Sequence, residues 1–206
     1  MKRAMAVVAA TALGLVAFTG TAGSAGAAGI PVTHVRSNLA FADAGWFKES
    51  GDKFWATGVS AVKSLWGSGS ELHLSKTSGT MGGARTEVSA DVTSGFTFTV
   101  DAKRLGSASV SATDLPAIQC TYDENGEQVG ECTDTTVDVN VTWSGQGAIS
   151  QGSYTEHVRT GGSMMRLHVL WTSREAGASG SLNGALSAHD LESAGLRTEK
   201  QVKSGR

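Results

Sequence analysis

Apolar residues recur at every second position in stretch after stretch of this chain, and that period decides what it can fold into. In "TVDVNVTW", Val137, Val139, Val141 and Trp143 fall on one side, with Asp138, Asn140 and Thr142 on the other. "MRLHVLW" repeats the pattern with Met165, Leu167, Val169 and Trp171. "FTFTV" gives Phe96, Phe98 and Val100, and "ASVSA" gives Ala108, Val110 and Ala112. Side chains alternate across a strand, so period two in β-branched and aromatic residues predicts strands with one buried face. No segment keeps a helical apolar period for three turns. "LSAHDLESAGL" near the C-terminus is the best helical candidate, and it is short.

Glycine-bearing turns punctuate these runs at "WGSGS", "SGTMGG", "TSG", "RLGS", "ENG" and "RTGGS". The pattern predicts about ten strands, near 37–47, 53–63, 70–75, 84–92, 95–101, 106–112, 116–122, 134–145, 150–158 and 163–173, with a further one at 177–186. Short connections make sequential strands antiparallel. The expected fold is therefore all-β: an antiparallel β-sandwich or a barrel-like variant, with Trp143 and Trp171 in one core region.

The first residues bear on compartment. Lys2 and Arg3 precede an uncharged apolar run, Ala4 to Phe18, and small residues lead to Ala25-Gly26-Ala27. That is the form of a secretory signal peptide over residues 1–27, with cleavage expected before Ala28. The run is shorter than the roughly 20 apolar residues that span a bilayer. No lipobox cysteine follows it, and the C-terminal "LRTEKQVKSGR" is polar rather than a sorting tail. The expectation is a secreted, extracellular protein without membrane anchor. Residues 28–206 would then form a single β domain with a short polar C-terminal tail.

Charge narrows the partners. The formal net charge is −2, and no Lys or Arg lies between Arg104 and Arg159, a stretch that holds Asp114, Asp123, Glu124, Glu127, Glu131, Asp134, Asp138 and Glu156. Nucleic acid and anionic membrane both call for clustered positive charge. The composition points away from them and leaves a carbohydrate or a basic protein surface as the kinds of partner.

"CTYDENGEQVGEC" contains the two cysteines of the chain, Cys120 and Cys132. In an exported chain such neighbours pair, and no histidine lies between His73 and His157 to complete a zinc set. Asn125-Gly126 suits the centre of a type I′ turn. A two-residue turn there sets Cys120 opposite Glu131, one residue out of register with Cys132. A disulfide therefore requires either a bulge at Gly130–Glu131 or an odd-length loop. "DENGE" has the acids of a calcium loop but not its spacing, with glycine at position four rather than six. It reads as a turn, and its carboxylates Asp123, Glu124, Glu127 and Glu131 form a candidate acidic contact surface.

Catalytic signatures are faint. Ser60 and Lys63 fit S-x-x-K, but in a strand pattern and without its companion motifs. The five histidines have no metal spacing, and Glu156-His157 is suggestive only as a dyad. No catalytic residue, metal or cofactor is assigned. The remaining candidates are aromatic: Trp46, Trp55 and Trp66 crowd together with Phe47 and Phe54. Phe54 and Trp55 are adjacent, so on a strand they face opposite ways. An outward tryptophan would offer a stacking face for a ligand ring.

"FADAGWF", "IQCTYDENGEQVGECTDTTVDVNVTWSGQG" and "YTEHVRTGGSMMRLHVLW", together with the Ala- and Gly-rich signal peptide, resemble uncharacterised exported proteins of high-GC Gram-positive bacteria (actinobacteria). The resemblance implies export and a β-rich domain, with no activity attached. The expected function is a secreted non-catalytic protein that binds a ligand or builds the cell exterior. The alternatives are a secreted hydrolase with a carboxylate-based site, and a carbohydrate-binding or inhibitor-like module.

Overall fold

Nine antiparallel strands make up one sheet in the computed structural model, which describes residues 33–160 and 163–205. They are β1 (Thr33–Ser50), β2 (Lys53–Ser64), β3 (Ser70–Thr80), β4 (Arg85–Val92), β5 (Thr97–Val100), β6 (Ser107–Tyr122), β7 (Thr133–Thr160), β8 (Ser163–Leu182) and β9 (Asp190–Gly205). The expected signal peptide, residues 1–27, lies outside the described residues.

The sheet order is β4-β3-β2-β1-β9-β8-β7-β6-β5, and β4 also pairs with β6. β4 and β5 lie end to end along β6: Arg85–Ser89 oppose Tyr122–Ile118, and Thr97–Val100 oppose Ser111–Ala108. Those two strands thus share one position, and the sheet closes into an eight-position up-and-down barrel. The all-β antiparallel architecture takes the barrel-like form rather than that of two stacked sheets. Closure removes most of the edge that an open sheet would expose.

A barrel of this size has an interior that side chains can fill. Ala42, Ala44, Val59, Ala61, Leu72, Leu74, Val110, Val139 and Val141 fill it as small or branched inward residues. Trp143 reaches across, and its Nε1–H donates to the carbonyl of Asp43 at 2.9 Å. Burying a large aromatic contributes roughly 2–3 kcal/mol by transfer alone. The outward positions carry Ser60, Glu71, His73, Glu87 and Asp91, polar where a lipid-facing barrel would be apolar. Among the described residues no helix is long and apolar enough to cross a membrane.

Three strands run longer than the sequence pattern suggested. Segments 106–112 and 116–122 are one strand, β6, whose register shifts between Ala112 and Leu115, with Asp114 at φ 53°. Segments 134–145 and 150–158 join as β7 through an irregularity between Gln146 and Ser150. Segments 163–173 and 177–186 both fall on β8 or just after it. The irregularity in β6 swaps its inward parity, so that strand reads as two.

The C-terminal expectations change more. Only Leu186–Ala188 of "LSAHDLESAGL" is helical, as a single 3-10 turn, and the rest enters β9. The polar C-terminal tail is instead the closing strand, paired with β1 on one side and β8 on the other. Trp171 does not join Trp143 in the core. It lies outside the barrel, stacked over Gly152 of β7, where a Cβ would collide with the indole.

The two ends of the barrel differ. One, the hairpin end, gathers the β1–β2, β3–β4, β6–β7 and β8–β9 connections. At the other, β2 stops opposite Leu39 and β6 opposite Ser144, while β1, β9, β8 and β7 run on as a four-stranded extension.

Candidate functional site

The three tryptophans singled out from the sequence part company. Trp46 is 4% exposed and belongs to the core, so it has no face to offer a ligand. Trp66 is 54% exposed in the β2–β3 turn, near the extension end. Trp55 is half-buried at the hairpin end, with its side chain on the inward side of β2.

Strand register shows what surrounds Trp55. Thr57 is inward and buried, and its cross-strand neighbours are Trp46 on β1 and Lys76 on β3. One step towards the mouth, Trp55 stands between Lys48 of β1 and Ser78 of β3. One step further, Lys53 pairs with Thr80. The inward positions at this end therefore include Lys48, Lys53 and Lys76. Those contributed by β4, β6 and β7 are Thr86, Val88, Gln119, Thr133 and Thr135. None of these inward positions is acidic. The acids of β3 and β4 point outwards, as alternation requires.

The lysines are uncompensated. The ion pairs among the described residues are His73–Asp91 and Arg197–Glu199, both away from this mouth. Lys48 Nζ lies 5.7 Å from the centre of the Trp55 ring, in cation–π range. His189, from the β8–β9 connection, tilts against Trp55 at 6.5 Å between ring centres. Burial pushes the His189 pKa below the ordinary imidazole value, and the nearby charges of Lys48 and Lys76 push it further down. The imidazole thus registers the positive field of the mouth.

Two buried side-chain polar atoms lack a hydrogen-bond partner among the described residues, Thr57 Oγ1 and His189 Nδ1. Both belong to this cluster. Thr57 is 4% exposed, and buried hydroxyls are rarely left unpaired because desolvation costs them about 1–3 kcal/mol. On the β3 side of Trp55, Lys53, Ser78, Gly79 and Thr80 complete a depression of about 240 Å³ that opens to solvent. Barrel mouths are among the usual places for small-ligand sites.

The cysteine hairpin stands at the same end. Cys120 and Cys132 form a disulfide, with their Cα atoms 4.4 Å apart. The register argument holds in its odd-length form, with Tyr122 and Gln128 flanking the loop 123–127. Tyr122 bridges Gln128 and Gln119 pairs with Thr133, so the β7 side carries two extra residues between these points. Gly130, at φ 74°, sits in that stretch. The loop itself is not the two-residue type I′ turn. The Gly126 N–H donates to the Asp123 carbonyl and Gly126 is left-handed at φ 83°, so a longer turn ends on the glycine. The Asp123 carboxylate is occupied within it, accepting the N–H groups of Glu127 and Asn125 at 2.9 Å each. These bonds, that from Glu127 foremost, hold its carboxyl below the usual range. Glu124, Glu127 and Glu131 are exposed, and Arg85, stacked 4.7 Å from the Tyr122 ring, lies beside Gly126.

Other reactive residue types do not converge on a cleft. Glu156 and His157 are adjacent on β7 and face opposite ways. Ser60 points outwards while Lys63 has the opposite parity. Outside the barrel His73 Nδ1 meets Asp91, and Ser60 stands opposite His73 on β2, but both partners of that pair are largely exposed on a convex wall.

No protein-family model, curated protein or solved structure matches this chain.

The cationic mouth was missed by sequence reading. Lys48, Lys53, Lys76 and His189 have no motif spacing, and β1, β2, β3 and the β8–β9 connection bring them in from separate parts of the chain. The one available signal was parity: Lys48, Lys53 and Lys76 occupy the same inward phase as Trp46, Trp55 and Leu74.

Proposed function

We propose that the protein is a secreted, non-catalytic binding protein and that its ligand site is the hairpin-end mouth of the barrel. The observation that carries this reading is the pair of unpartnered buried atoms, Thr57 Oγ1 and His189 Nδ1, among three lysines without counter-charge. A fold under selection only for stability would replace such groups, because each costs free energy without return. Trp55 adds an aromatic surface at the rim. The paired cysteines accord with an oxidising compartment.

Two measurements test the reading. Protein recovered from culture medium should begin at Ala28, and an uncleaved or cell-retained chain would remove the secretion half. A thermal-shift screen against small soluble metabolites should give stabilisation that Trp55→Ala abolishes and Trp66→Ala leaves intact. Hits sensitive to Trp66 alone would move the site to the other end of the barrel.

A further inference from the structure

The four-stranded extension has two faces, and strand parity separates their charges. One face continues the inner wall of the barrel, but the strands that close that wall, β2 to β6, do not reach this far. The inner face is therefore an open trough. Arg36 shares a row of it with His168, and Lys200 lies in the next row towards the barrel. Arg166 lies in the next row away from the barrel, and Arg159, opposite Met164, follows beyond it. Arg36 with Lys200, and Arg166 with Arg159, are diagonal neighbours, about 7–8 Å apart at their Cα atoms. His168 stands between the two pairs, its Nδ1 hydrogen-bonded to the Thr155 hydroxyl at 2.9 Å.

All four cations are exposed, and neither ion pair among the described residues involves them. The carboxylates of the extension, Glu156 and Glu199, both fall on its outer face, where Arg197 holds Glu199. Four like charges on one face without acids repel one another, and they do so in a chain whose net charge is −2. An anionic ligand would relieve that repulsion, with charge-assisted hydrogen bonds to the guanidinium groups.

The neutral side chains decide between kinds of anion. Asn38, Ser153 and Thr155 interleave amide and hydroxyl groups with the cations. No aromatic side chain stands at these inner positions, whereas proteins that hold single-stranded nucleic acid stack its bases on aromatics. Met164, Leu170 and Val202 are too few to make the apolar face that a membrane-surface element buries. Cations mixed with small polar groups match a polymer that carries both anionic groups and hydroxyls. Arg159 and Lys200 lie three rows apart, roughly 20 Å along the strands, which is the reach of several sugar units rather than one.

We infer that the inner face of the extension binds an acidic polysaccharide, laid along the trough with its anionic groups on Arg36, Lys200, Arg166 and Arg159. This surface lies at the opposite end of the barrel from the mouth and does not depend on it.

Oligogalacturonate, its methyl-esterified form and a single-stranded oligonucleotide of equal length make the test, titrated by calorimetry into the purified protein. Oligogalacturonate should bind saturably and at least about tenfold tighter than the ester, which keeps the backbone and loses the charge. Arg36→Gln, Lys200→Gln and Arg166→Gln should each weaken it about fivefold and flatten its dependence on salt. The three together should abolish binding at an unchanged melting temperature, since these positions are exposed. Trp55→Ala should leave it intact, which separates this result from that of the mouth.

Equal binding of the ester would overturn recognition by charge. Binding that survives the triple variant would overturn the site, and an oligonucleotide bound as tightly as oligogalacturonate would overturn the sugar ligand. Absence of saturable binding by oligogalacturonate would overturn the inference as a whole. Self-association in sedimentation, lost in the triple variant and on neutralising Glu124, Glu127 and Glu131, would replace the polysaccharide with a second copy of the chain.

Discussion

At the extension end of the barrel, Leu105 of the β5–β6 turn closes the interior, fully buried. At the hairpin end Leu186 of the β8–β9 connection does the same, 3% exposed. The polar groups around the two plugs are treated differently. Beside Leu105, Arg174 donates to the carbonyls of Gly147 and Arg104, Asp101 accepts the N–H groups of Lys103 and Arg104, and Trp143 bonds Asp43. Beside Leu186, Thr57 and His189 keep unpartnered atoms and three lysines lack acids. Leu105 even holds φ 48°, a left-handed conformation that costs a branched residue roughly 1–2 kcal/mol, to complete its seal. The polar groups at one end are paired, and several at the other are left without partners among the described residues.

Five measurements can break or sharpen that contrast. The largest effect should come from the sealed end: Leu105→Ala should lower the free energy of unfolding by about 3 kcal/mol in urea titration. A loss under 1 kcal/mol would show that the plug does not seal. Removing the disulfide at the hairpin end, with Cys120→Ser and Cys132→Ser together, should cost somewhat less, about 2–3 kcal/mol, in the same assay.

Smaller effects of opposite sign should follow from single polar groups. Trp143→Phe removes a satisfied donor from the sealed end and should destabilise by at least about 1 kcal/mol. Thr57→Val removes an unsatisfied hydroxyl from the mouth and should stabilise by about 1 kcal/mol. If both variants destabilise alike, the two ends do not differ as described.

The smallest effect is a pH dependence. The His189 pKa is lowered in the folded protein, so below the ordinary imidazole value near 6.5 the unfolded chain takes up a proton that the folded one resists. The contribution of this group to stability is therefore whole above about pH 6.5 and declines as pH falls below it. Melting temperatures across that range should show the decline, and His189→Gln should flatten it.

Much of the barrel was legible in the chain, because inward residues such as Val137, Val139 and Val141 repeat at the strand period. Strand ends were less so. β9 was missed because its inward row, Leu196, Thr198, Lys200 and Val202, mixes apolar with polar residues once it passes beyond the barrel into the extension. Sandwich and barrel share the same alternation, and only the β4–β6 and β1–β9 pairings tell them apart. The disulfide was legible from compartment and count, and the register shift from arithmetic on the hairpin. Of the mouth only Trp55 was legible. Its lysines look like ordinary surface lysines until the turn of each hairpin fixes which way they point.

The pairing of β1 with β9, from Thr33 opposite Gly205 to Phe47 opposite Asp190, also governs timing. A chain that lengthens from its N-terminus presents β1 early, yet half of that strand's hydrogen bonds wait for the last residues to appear. Contacts so distant along the chain slow folding, since a long loop must close before they form. The barrel cannot lock until β9, Asp190–Gly205, is present to pair with β1 and β8.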